Sequence, residues 1–292
     1  MTSNDPASGQ GSAAPAGPAA TPPAAPLWST LLIAAGALVI AGTYLWILAT
    51  QPATLGVDLG HTTLAVMAGY LAGALLIAAG ALPRIPATVL ALLPVMIALN
   101  VVIGQIVGTL TPIPLYLDSL GTVLIGVLAG PAAGALTGVL TNLIWGVTIN
   151  PSLIPFSAGA AFIGAAAGWA ARAGAFRRLW TAILAGGVAG IPAGLLGAPV
   201  AAYVFGGGLG VGTGGVVAAF QAAGASMLAA TTLQAIPSDI IDKAIVFAVA
   251  FLAFRAVPQR LRSRFAFTAH SLPPKVPGRS AGAGTRSGED LP

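Results

Sequence analysis

The chain has 292 residues, 57% hydrophobic and only 7% charged, with a mean hydropathy of +0.92. A soluble globular protein carries about 25% charged residues, and the shortfall places most of this chain in lipid. The lack of cysteine excludes disulfides, thiolate metal sites and thiol nucleophiles, and the net charge of +5 reads as a basic flank beside a membrane helix, because seven of the twelve Lys and Arg lie from Arg255 onward.

Residues 1–26 are rich in Ala, Pro, Ser and Gly and contain no Lys or Arg. They lack the basic start of a signal peptide and read as a disordered tail. A span needs roughly 20 apolar residues to cross about 30 Å of hydrocarbon. Leu27–Ala49 and Thr62–Leu82 qualify and make a two-helix stretch over 27–83; Ala87–Gly108 is the third span. The stretch from Pro112 to Gly146, PIPLYLDSLGTVLIGVLAGPAAGALTGVLTNLIWG, supplies two shorter helices near Leu117–Ala129 and Ala132–Trp145. The breaker pair Gly130-Pro131 joins them as an antiparallel hairpin. Leu153–Ala171 and Trp180–Phe205 follow. Gly206–Gly215 is a glycine-rich loop, Val216–Gln234 reads as an outer-surface helix or a ninth span, and Asp239–Ala256 is the last span, making eight. Residues 262–292 read as a basic, disordered tail.

Arg84, the trio Arg172, Arg177 and Arg178, and the cluster Arg255, Arg260, Arg262 and Arg264 all fall on one face if eight spans are taken. The positive-inside rule makes that face cytoplasmic, with both termini, and predicts a multi-pass cell-membrane protein. The opposite loops (50–61, 109–116, 146–152, 206–238) contain no Lys or Arg.

Glycines four apart recur at Gly104/Gly108, Gly130/Gly134/Gly138, Gly164/Gly168 and Gly190/Gly194. Such ridges let helix backbones approach closely. They serve either ordinary bundle packing or docking of a partner membrane protein, and Gly130, Gly134 and Gly138 make the strongest docking candidate, with Gly104 and Gly108 beside them.

Polar residues within spans carry the functional signal, since an ionised group at mid-membrane costs about 2.5–3.5 kcal/mol. Span directions place Gln105, Asp118, Asn142, Trp145, Asp239 and Lys243 at one level toward the outer surface, and Tyr116 is a belt residue or part of a pocket lid. Lys243 lies about 7 Å below a helix start at Ser238-Asp239. That pattern suits a small-molecule pocket open outward. Other roles fit the same residues. Asp118 with Ser119, and Ser238 with Asp239, have the form of helix N-caps. Asp239 and Lys243 suit an i,i+4 pair, and Asp242 either joins them or faces water. Trp145 is an interfacial anchor or a stacking wall, and Asn142 is a cross-helix bond or a ligand contact. Trp145 and Tyr116 would suit a flat heterocycle, and Lys243 a carboxylate or phosphate.

Catalysis finds little support. There is no H-E-x-x-H and no G-x-x-x-x-G-K-[ST], and His61 and His270 lie outside the best apolar runs. No cofactor or metal is implied, and no nucleic acid.

The segments YLDSLGTVLIGVLAGPAAGALTGVLTNLIWG (116–146) and IPSDIIDKAIVFAVAFLAF (236–254) resemble the substrate-binding (S) component of energy-coupling-factor (ECF) vitamin transporters. The resemblance implies an all-α integral membrane protein whose six-helix S-component-like bundle (84–261) follows two extra transmembrane helices. It implies a pocket near the outer surface for a vitamin or similar micronutrient. It also implies two partners, a transmembrane coupling (T) component and a cytoplasmic ATPase pair that hydrolyses ATP in place of this chain. Span three carries Ala98 and Gly104/Gly108 where many such proteins have an alanine ridge, and the insert 206–235 is long enough to cover the pocket. Two other readings remain. One is a membrane sensor or adaptor, for which 262–292 is short as an output domain. The other is a stand-alone secondary carrier, which would need polar groups in the inner half.

Overall fold

A computed structural model describes residues 25–50, 61–110, 115–207, 211–262 and 264–271. The tail predicted over 1–26 falls almost wholly outside these residues, as does 272–292.

The described residues form helices and contain no strand: α1 (Leu27–Thr50), α2 (His61–Ala81), α3 (Ala87–Leu90), α4 (Leu93–Leu110), α5 (Leu120–Ala129), α6 (Pro131–Thr148), α7 (Ser157–Arg172), α8 (Leu179–Tyr203), α9 (Val211–Ala222), α10 (Met227–Ala256) and α11 (Gln259–Arg262). Short 3-10 turns precede α3, α7 and α8 and cover Ala266–Ser271. Among the described residues, five segments are long and apolar enough to cross a membrane: Leu27–Thr50, Thr63–Arg84, Ala87–Gly108, Pro151–Arg172 and Leu179–Tyr203. This is an all-α membrane protein.

The helix boundaries depart from the predicted eight spans in three places. The third span breaks at Ala91–Leu92, just before Pro94, whose missing N–H cannot continue the ladder. α5 has ten residues, about 15 Å, half a bilayer. A run this thin for a crossing needs cover from other helices, and its neighbours bury it from Gly121 to Leu128. The last helix does not start at Asp239. α10 runs unbroken for 30 residues from a cap at Ser226, whose hydroxyl accepts from the Ala229 N–H. The predicted helix Val216–Gln234 is accordingly split. Gly224, at φ +93°, ends the α9 side, and the rest belongs to α10.

Close backbone contact explains the glycines. On α6, a Cβ at Gly134 would overlap the carbonyl of Gly164 on α7, and one at Gly138 the carbonyl of Ala160. Gly130, at φ +94°, turns the α5–α6 hairpin and faces the Phe267 ring. The ridge proposed for partner docking is therefore filled from within the chain. Gly104 is likewise covered, by the Trp145 ring and Asp118; Gly108 alone of these five has open space around it. On α8, Gly186 and Gly190 lie against the carbonyls of Lys243 and Asp239, so two polar residues of α10 sit on a glycine stripe.

The N-terminal pair is integrated with the rest. α2 packs on α6, α7 and α8, and Thr63 Oγ1 donates to the Tyr203 carbonyl at 2.7 Å. Ser29 Oγ donates to the Gly80 carbonyl at 2.6 Å and accepts from Arg84 Nε at the same distance.

Residues 264–271, expected in a disordered tail, pack against the hairpin turn. Phe267 stacks beneath Gly130, Arg172 lies 5.6 Å from the Phe267 ring centre, and Arg177 Nε donates to the His270 carbonyl at 3.1 Å. The basic residues Arg172 and Arg177 thus gather at the Gly130 end of the hairpin.

Candidate functional site

The opposite end of that hairpin holds a polar cluster, and two buried side chains build it. The first is Asn100 on α4. Its Oδ1 accepts from the backbone N–H of Gly121 at 2.6 Å, and its Nδ2 donates to Thr122 Oγ1 at 2.8 Å and Thr141 Oγ1 at 3.0 Å. One amide so caps the start of α5 and ties it to α6. Ser119 stands at the cap position but its hydroxyl makes no capping bond. The predicted Asp118-Ser119 cap is therefore not formed, because Asn100 satisfies the helix end from another helix.

The second is Asp242 on α10, with no exposed surface. Its Oδ1 accepts from the backbone N–H groups of Tyr116 and Leu117, both at 2.8 Å. Leu117 sits at φ 49°, the left-handed region that side chains disfavour. Successive N–H groups converging on one anion form a backbone nest, and that geometry turns the chain into Asp118. The other oxygen, Oδ2, accepts from Lys243 Nζ.

Lys243 is 6% exposed and stands among three carboxylates. Besides Asp242, the Oδ1 atoms of Asp118 and Asp239 each lie 3.8 Å from its Nζ. That separation is an ion pair without a hydrogen bond. Lys243 is therefore paired with carboxylates of its own chain while it lines the cavity. The Ser238-Asp239 cap is overturned. Both residues lie inside α10, and Ser238 Oγ accepts from Gln234 Nε2 at 2.9 Å.

These groups face a cavity of about 1050 Å³, counting its open mouth. Asp118, Asp239 and Lys243 line it together with the apolar side chains of Leu153, Phe156 and Ile163. Tyr116 and Thr213 share a hydrogen bond at its edge. Ser119 and Asn142 also line it, 6% and 7% exposed, and the Ser119 hydroxyl is buried without a hydrogen-bond partner among the described residues. A buried polar group without a partner costs about 1–3 kcal/mol, so the Ser119 hydroxyl is poised for something that enters.

Five of the seven predicted residues, Tyr116, Asp118, Asn142, Asp239 and Lys243, thus meet at one cavity. The other two do not. Gln105 is exposed and away from the lining, and Trp145 is buried with its ring in the Gly104 groove, neither a belt anchor nor a stacking wall. Sequence reasoning missed Asn100, Thr122, Gln234 and the nest role of Asp242. Asn100 was findable, as the one Asn inside an otherwise apolar span.

No protein-family model matches the chain, and no curated protein or solved structure matches it either.

Proposed function

We propose that this protein is the membrane-embedded substrate-binding subunit of an ECF-type ABC importer. In this reading the bundle 84–261 is the S-component-like unit and the cavity takes a vitamin or related micronutrient from outside. The observation that carries it is the junction of Asp118 from the turn before α5, Asn142 from α6, and Asp239 and Lys243 from α10 around one mouth-bearing cavity that also holds the unpartnered Ser119 hydroxyl. Buried ionisable groups in a membrane bundle mark solute pathways by default, and pockets of this kind are concave, mostly apolar and armed with a few polar groups.

The charge asymmetry supports an inward-closed receptor. Basic residues cluster at the Gly130 end, which the positive-inside rule makes cytoplasmic, while the cavity lies at the other end. The chain has no phosphate-cradling motif, so energy comes from partner chains: a transmembrane coupling component and an ATPase pair. The glycine ridges are consumed by internal packing, so coupling would use another surface.

Purification of the tagged full chain from native membranes tests this assignment. Co-purification of a membrane component with two ATPases is expected. Recovery of a histidine kinase instead, or solute uptake by the chain alone in proteoliposomes, would overturn it.

A further inference from the structure

The charges at the cavity do not balance. Asp242 is fully buried and already takes two backbone N–H bonds and the Lys243 ammonium. Those two residues neutralise each other. Asp118 and Asp239 remain, each 3.8 Å from the same Nζ, with no hydrogen bond to it. Lys243 is the one basic residue in the lining; the described arginines Arg172 and Arg177 lie at the far end of the hairpin. A cavity in a membrane bundle so presents two carboxylates in excess of its cations. A carboxylate drawn out of water needs a compensating charge, strong donors or a bound proton, and a cation entering the cavity supplies the first.

Independently, Ser119 and Asn142 are more than nine-tenths buried and line the same cavity, and the Ser119 hydroxyl has no partner among the described residues. That hydroxyl stands ready to bond an occupant, and Leu153, Phe156 and Ile163 in the same lining offer apolar surface rather than charge. Resting on the reading of the cavity as a solute pocket, we infer that the solute is an organic cation. Its ammonium, amidinium or charged heterocycle sits against Asp118 and Asp239, and its apolar body lies against Leu153, Phe156 and Ile163. Cationic substrates then supply the charge that the folded protein lacks, and anions are rejected by the same pair.

Three probes with one ring and three charges test this on the full chain in detergent at neutral pH: benzamidine (positive), benzamide (neutral) and benzoate (negative). Thermal unfolding is followed against probe concentration. Benzamidine is expected to raise the unfolding temperature saturably, and the other two to leave it unchanged. Asp118→Asn and Asp239→Asn should each weaken the benzamidine effect by about 30-fold, the loss of one partner of a desolvated charge pair. Stabilisation by benzoate, equal stabilisation by benzamide, or a benzamidine effect that ignores both substitutions would overturn the charge assignment while leaving the pocket standing. No effect from any probe would overturn both. Should the two variants fail to fold, the charge series on the unaltered protein decides alone.

Discussion

Asp242 Oδ1 lies 2.8 Å from the backbone nitrogen of Leu117, 125 residues away in sequence. That bond joins the longest helix of the bundle to the strained turn that presents Asp118. It also fixes which carboxylate neutralises Lys243 and which two are left facing the cavity. The site is therefore a property of the turn and α10 together.

Removing Asp242 should be far worse than removing either neighbour. Asp242→Ala strands a buried ammonium and frees two N–H groups, for which loss of one partner of a buried pair costs about 3–5 kcal/mol. The expected outcome on size-exclusion chromatography in detergent is loss of the monodisperse peak. Asp239→Asn, whose side chain borders the cavity, should keep that peak. Equal behaviour of the two would remove Asp242 from its structural role.

Asn100→Leu removes the cap of α5 and the bonds to Thr122 and Thr141. The expected destabilisation is about 1–3 kcal/mol for the buried groups left unpaired, read as a lowered unfolding temperature. Asn100→Asp keeps an acceptor for the Gly121 N–H, and its second oxygen can accept from a rotated Thr122 or Thr141 hydroxyl in place of the two bonds the amide donated, so it should fall between the leucine variant and the parent protein.

Gly134→Val drives a side chain into the Gly164 carbonyl, where nothing flexible can yield. Overpacking of this kind costs about 1–3 kcal/mol or more, so the yield of folded protein should drop sharply. Gly108→Val meets open space and should be tolerated. A Gly134 variant that folds normally but loses a partner protein would restore the docking reading.

Much of this molecule was legible in its residues because lipid imposes simple rules. Apolar length located α1, α2 and α8 to within a residue or two, and the Gly130-Pro131 pair located the hairpin turn. Depth arguments brought Asp118, Asn142, Asp239 and Lys243 to one cavity. The failures share a cause. Spacing shows what a residue can do beside its chain neighbours, not who arrives from elsewhere. Ser238-Asp239 has the form of a cap, yet α10 passes through it because Ser226 caps twelve residues earlier. Asp118-Ser119 has the same form, yet Asn100 does that work from α4. Trp145 looked like a pocket wall, but Gly104 offers its ring a closer fit. The glycine ridges announced tight packing without saying whether the facing backbone was internal.

The central claim, that the cavity is a solute receptor, is tested most directly by mass spectrometry of small molecules released on denaturing the purified full chain. The parent protein and Asn142→Ala, which removes a cavity-lining amide without touching the ion cluster, are compared. The account predicts one small molecule in near-stoichiometric amount from the parent protein and little or none from the equally well-folded variant. Release of the same molecule in the same amount from both, or of nothing from the parent protein, would contradict it.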